Sequence, residues 1–350
     1  MSGKSARPSI SAILIVAVLL LASVAAAVAV WAIRPYGESG SGLPDSFSYR
    51  VDDYASVAPS LLRWQEVLAI PVTLERPQNL AVGPNDRVYV VGDRALVWFN
   101  SEGKPAGRIE LDAEPRAVAV AADGHATRGH GYLAFADHVE VYRPDGSRAA
   151  VWPKFGENAL LSAIVLVENE IFLADAGRRV VLRCDREANI LGEIGRRDDA
   201  KGIDGVVIYS PYFDLAVGAD GLLRMVNPGR HRIEYYTMDG RLEQPLTWGR
   251  AGAGIDGFSG CCNPVSIAVL SDGRVVTAEK GLPRVKVYDG EGQLLSVVAG
   301  PHDLLPPGAA IDETRAGLRS RPPMVAADSR DRVLILDSAA KAVRIFKEKP

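Results

Sequence analysis

The chain has 350 residues and a formal net charge of -3, long enough for a sizeable core but without the excess positive charge that holds a phosphate backbone. Nucleic acid is therefore excluded as an expected partner. Its 34 glycines and 22 prolines, set against few aromatic residues, suit many short strands joined by turns.

In chain order, residues 1–9 form a short tail and an uncharged apolar run follows from Ile10 to Ile33. At about 1.5 Å per helical residue this run matches a hydrocarbon core of about 30 Å. Trp31 at its distal end suits an interfacial anchor. The expectation is one transmembrane helix over residues 10–33, in contact with membrane lipid. A cleaved signal peptide, whose apolar region has about 7–15 residues, is the competing reading. Lys4 and Arg7 precede the run, whereas Arg34 after it is soon joined by Glu38 and Asp45. That bias places the N-terminus inside and the soluble domain outside the cytoplasm, in the periplasm of a Gram-negative cell. Residues 34–62 read as stalk and linker, with glycine, serine and proline between Tyr36 and Ser46.

Residues 63–350 carry an internal repeat. An apolar strand, a turn near Asp or Gly and a second apolar strand start at Pro77, Pro115, Pro211, Pro264 and Pro322, and again without the proline near Leu160. Third strands follow at Ala95–Phe99, Val139–Arg143, Arg179–Cys184, Arg232–Thr237, Arg284–Asp289 and Ala342–Phe346. Glycine-bearing hairpin signals and a fourth strand follow in most units. Six such units predict an all-β, six-bladed β-propeller, since radial stacking leaves only short sheet edges. The sixth unit stops after its third strand, so Glu66 to Thr73 is expected to supply the fourth and close the ring.

The segments DAGRRVVLRCD from Asp175, NPGRHRIEYY from Asn227 and EKGLPRVKVYD from Glu279 resemble the Asp-x-x-Asn-x-Arg-hydrophobic segment of NHL repeats. The glycine-rich stretch from Trp248 to Pro264 is similar to the inter-blade connections of that family. The resemblance covers roughly residues 64–350, departs from the family's Asn position in most units, and implies the propeller fold. It implies little about activity, because such domains serve as binding platforms and, less often, as enzymes.

Candidate chemistry centres on Cys261 and Cys262, adjacent in a glycine-rich connection, with Cys184 as the third thiol. Buried packing, a redox pair, or a soft-metal or iron-sulfur site are the open readings, the cofactor being otherwise unknown. Three thiols fall short of a four-thiolate cluster, and adjacent cysteines are not a CxxC site. Asp204 and Asp256 recur in two GIDG segments, preceded by Arg196 and Arg250, and are expected to make inter-blade or ligand contacts. Arg178, Arg179, Arg230, Arg232 and Arg284 recur in equivalent loops, either as a basic ring or as partners of neighbouring acids. Among the histidines only His125 and His130 are close in sequence, and no HExxH, GxSxG, P-loop or dinucleotide motif is present, so no catalytic residue is assigned. The leading expectation is a membrane-tethered extracytoplasmic scaffold that binds a membrane or extracytoplasmic protein, as a subunit of a membrane complex. The alternatives are a redox or metal-handling accessory using the cysteine pair, and a propeller hydrolase or lyase with an axial site.

Overall fold

The computed structural model describes residues 17–24, 54–305 and 321–350. Residues 17–24 are helical. Among the described residues no helix is long and apolar enough to cross a membrane. The remainder of the expected 10–33 span, and residues 34–53 of the expected stalk, lie outside the described residues.

The repeat units fold as six antiparallel sheets. A lead strand, β1 (Trp64–Pro71), precedes the first blade, formed by β2 (Pro77–Gly83), β3 (Arg87–Gly92), β4 (Ala95–Phe99) and β5 (Pro105–Glu110). The second blade holds β6 (Ala117–Val120), β7 (Gly131–Ala134), β8 (Val139–Tyr142) and β9 (Arg148–Val151). β10 (Leu161–Val167), β11 (Glu170–Asp175), β12 (Val180–Asp185) and β13 (Ile190–Ile194) make the third. The fourth has three strands, β14 (Leu215–Val217), β15 (Leu223–Asn227) and β16 (Arg232–Tyr236). The fifth holds β17 (Ser266–Val269), β18 (Val275–Ala278), β19 (Val285–Tyr288) and β20 (Leu294–Ala299). The sixth combines β21 (Met324–Ala327), β22 (Val333–Asp337) and β23 (Ala342–Glu348) with β1.

The repeat prolines stand at or just before the inner strands β2, β6, β14, β17 and β21, where a missing N–H removes no ladder hydrogen bond. The six inner strands contact one another in a closed ring. β1 completes that ring by pairing antiparallel with β23, from Trp64 opposite Glu348 to Pro71 opposite Ala342. Trp64 is buried and donates its indole N–H to Ser296 Oγ at 3.0 Å, joining the sixth blade to the fifth. Arg344 on β23 reaches Glu66 on β1 at 2.6 Å.

The fourth blade lacks a regular outer strand. Its place is taken by single bridges from Ile233 to Trp248 and from Tyr236 to Leu242. The reason is local: Pro245 lies in a 3-10 turn over Gln244–Leu246, where a proline cannot donate to a ladder.

Candidate functional site

The inner strands line an axial cavity of about 430 Å³ with apolar residues, and every one of the six contributes at the same level, through Leu80, Val118, Ile164, Leu215, Ile267 and Val325. That volume falls within the range of small-molecule pockets. The residue before each axial position forms a partly polar belt. There Asp214 is buried and accepts from Ser266 Oγ at 2.7 Å, Ile267 N at 3.0 Å and Leu215 N at 2.9 Å. Burial outweighs these bonds and pushes its carboxyl up to about 6. Ser266 Oγ in turn accepts from Val325 N at 3.1 Å, and Asn79 Oδ1 from Val118 N at 3.3 Å.

The two ends of the axis differ. One face carries the turns between first and second strands. There Asp331 accepts from the amide and hydroxyl of Ser271, and Asp86 from those of Ser329, tying the fifth, sixth and first blades together. Asp123, His125 and Glu168 edge the cavity from the second and third blades. His125 Nδ1 accepts from Thr127 N at 3.1 Å, so Nε2 carries the proton, and this buried atom has no partner. Burial, then Arg186 and His130, lowers its pKa and keeps the ring neutral.

The opposite face, where the inner strands begin, gathers the connections between blades. Here the motif residues of the repeat act as pins. Asp175 accepts from Leu160 N at 3.0 Å, Asn227 from Val207 N at 3.0 Å, and Glu279 from Ser259 N at 2.8 Å. Each bond fastens the incoming connection to its blade. The strongest pin is a buried triad: Glu279 Oε2 meets Arg284 Nη2 at 2.7 Å and Glu279 Oε1 meets Lys286 Nζ at 2.8 Å, all three residues having no exposed surface. Arg284 also donates to the carbonyls of Ala253, Gly254 and Gly257, and Lys286 to those of Ile255 and Gly257. The connection folds this tightly because a Cβ on Gly257 would stand 2.9 Å from the Gly252 backbone. Lys286 Nζ sits 4.7 Å from the Phe258 ring centroid, and burial lowers its pKa to about 8.

The expected basic ring is therefore mostly a set of pairs: Arg178 with Asp175, Arg230 with Asp204, Arg232 with Glu234 and Arg284 with Glu279. The two GIDG segments diverge. Arg250 pairs with Asp256 and both line an aromatic cleft of about 320 Å³ with Trp248, Phe258 and Tyr288. Arg196 instead pairs with Glu193 at 2.5 Å, leaving Asp204 to Arg230 and Arg232.

The three thiols do not come together. Cys184 lies opposite Ile171 in the core between the second and third blades, with no exposed surface, and burial pushes its thiol up to about 12. Cys261 and Cys262 stand 3.0 Å apart, Sγ to Sγ, the first exposed and the second buried. Hydrogen bonding to Cys262, followed by burial, raises the Cys261 pKa. Among the described residues no group of three or more His, Cys, Asp or Glu is placed to hold a metal ion. The expected metal site from Cys184, Cys261 and Cys262 is thus corrected to an isolated pair, because the side chain of Cys184 points into the core packed between the second and third blades.

Sequence reasoning missed a second group on this face. Arg116, Tyr212, Lys280 and Arg321 come from the second, fourth, fifth and sixth blades. Three of them flank repeat prolines, Pro115, Pro211 and Pro322, a position that marks the axis end.

No family model and no curated protein matches this sequence. Solved structures do resemble it. The fold is that of known propellers. A virginiamycin B lyase from Staphylococcus aureus superposes with a TM-score of 0.54 at 11% identity, over 81% of this chain and 99% of its own. A streptogramin B lyase gives 0.51 at 9% identity, covering 83% and 100%. A Bacteroides thetaiotaomicron protein of unknown function gives 0.57 at 15% identity, covering 81% and 72%. At these identities the likeness establishes the fold alone.

Proposed function

We propose that this chain is a recognition module, tethered to a membrane by its apolar N-terminal run, whose propeller holds an extracytoplasmic or membrane protein against the face where the inner strands begin. One observation carries the reading. That face combines Tyr209, 72% exposed, with the exposed Cys261 and with Arg116, Lys280 and Arg321, which have no carboxylate ion-pair partner among the described residues. Tyrosine and arginine are the side chains most enriched where protein interfaces gain their affinity. The rest of the design supports a platform: pinned connections on a closed ring present fixed side chains at little conformational cost. The test is affinity purification of the full chain from solubilised native membranes, in parallel with Tyr209→Asp. A fixed partner set present with the wild type and lost with the variant is expected. The same partners with both proteins, or none with either, reject the proposal.

A lyase is the second reading, favoured by the fold likeness to virginiamycin B and streptogramin B lyases and by the axial cavity with His125 at its edge. A variant of the former has been solved with quinupristin. Incubating the purified chain with quinupristin and following its chromatographic retention and fragmentation pattern decides this reading, because an elimination that opens a ring leaves the mass unchanged: an unaltered retention and fragmentation pattern at excess protein removes it.

A further inference from the structure

Four side chains from four blades converge at the strand-start end of the axis. Arg116 donates Nε to Leu161 O at 3.2 Å, and Ser162 beside Leu161 donates Oγ to Phe213 O at 2.7 Å. This chain of contacts brings the second, third and fourth blades together and sets Arg116 near Tyr212, the neighbour of Phe213. Lys280 Nζ lies 5.5 Å from the Tyr212 ring centroid. Lys280 and Arg321 line one small cleft between the fifth and sixth blades, and Arg321 Nη1 also donates to Gln78 on the first.

The charges here do not balance. Among the described residues, no carboxylate lies within ion-pair distance of Arg116, Lys280 or Arg321. Two acids stand close by, and both are engaged: Glu114 with Arg76 at 3.7 Å and with Gln78, and Asp337 with Arg344 at 3.4 Å and with the amides of Ala339 and Ala340. Elsewhere on this face Arg178, Arg230, Arg232 and Arg284 have carboxylates, and Arg94 and Arg179, which have none among the described residues, stand exposed to water. The half-buried Arg116 shows the strain of lacking one: burial, and then the charge of Arg321, lowers its pKa. Three cations held together without a counter-charge repel one another, and an anion seated between them relieves that repulsion.

We propose that Arg116, Lys280 and Arg321 form a binding site for a tetrahedral dianion of the phosphate class, with the Tyr212 hydroxyl and Gln78 at its margin. The guanidiniums offer forked donors to two oxygens and the ammonium offers a point charge to a third. A net charge of two on the ligand fits three cations better than a monocarboxylate does. The three cations also belong to the recognition surface proposed above, but anion binding is measured without a protein partner and without Tyr209, so the two readings fail separately.

Calorimetric titration of the full chain in detergent tests it, with inorganic phosphate, glycerol 3-phosphate as a monoester, and acetate, all at one ionic strength held by chloride. Saturable binding of phosphate is expected, with acetate weaker. Binding of the monoester alone assigns the site to an esterified phosphate and also supports the proposal. Arg321→Gln and Lys280→Gln should each weaken binding about tenfold or more, the usual scale for a charge-assisted hydrogen bond. Lys104→Gln, which alters an exposed lysine paired with Glu102, should leave it unchanged. Both site residues are half-exposed, and circular dichroism of the variants confirms that they fold. No binding of either phosphate, acetate binding as tight as phosphate, or phosphate binding that survives both variants overturns the proposal.

Discussion

The buried triad under the glycine-rich connection makes an unequal prediction for two of its members. Glu279, Arg284 and Lys286 together carry one excess positive charge with no exposed surface. Lys286→Met removes the excess and leaves the Glu279–Arg284 pair, whose bonds at 2.7 and 3.0 Å are untouched. Lys286 titrates near 8 in the fold against about 10.4 in the unfolded chain, so holding it charged at pH 7 costs about 3 kcal/mol. Against that gain stands the loss of its bonds to Ile255 O and Gly257 O; the second carbonyl keeps Arg284, and the first is left bare at about 1–3 kcal/mol. The net change for Lys286→Met is within about 1–2 kcal/mol of zero. Glu279→Gln instead strands two buried cations and should cost about 3–5 kcal/mol. The double variant should recover part of that loss, a non-additivity expected of residues in one network. Urea unfolding followed by tryptophan fluorescence reads all three proteins, since Trp248 lies 4.8 Å from Tyr288 beside the triad. The sign with pH is fixed too. Between about 8 and 10 the unfolded chain binds more protons at this lysine than the native one does, so wild-type stability gains a rising contribution that Lys286→Met lacks. A loss from Lys286→Met as large as that from Glu279→Gln would refute the charge count.

Three further outcomes follow from the same physics. Asp214 titrates near 6 in the fold and near 4 in the unfolded chain. Its contribution is therefore fully retained below about pH 4 and falls as pH rises to about 6, by about 3 kcal/mol in total; the difference between wild type and Asp214→Asn across this window measures it, and parallel pH profiles would contradict it. Trp64→Ala should destabilise by about 3–5 kcal/mol, because it empties a buried site and breaks the link to Ser296 at the ring closure, whereas Val67→Ala on the exposed side of β1 should change denaturant midpoints little. In a native thiol titration Cys261 should react first and Cys184 only after unfolding, so a fast thiol persisting in Cys261→Ser would show that the pair is more open than its burial implies.

The candidate site was legible only in part. The cysteine pair and the GIDG acids stand out as local motifs, and local motifs report local geometry: Arg250 does pair with Asp256, a few residues away. The second copy departs from this: Arg196 stands eight residues before Asp204 instead of six, and its partner Glu193 lies on the other side of it in the chain. The group around Tyr212 carries only a faint local mark, the repeat proline beside Arg116, Tyr212 and Arg321, because its members are separated by whole blades and meet only when the ring closes.

The division between sequence and tertiary structure follows from range. Strand alternation, turn glycines and prolines at each unit's start are properties of a few consecutive residues, so the number of blades, the inner strands and even the closure by β1 could be read along the chain. What lies between blades could not. Which arginines have carboxylates and which do not, that Asp214 and Lys286 are buried, and that Cys184 faces the core between two blades all depend on side chains brought together from distant positions, and only packing sets their distance and their exposure to water.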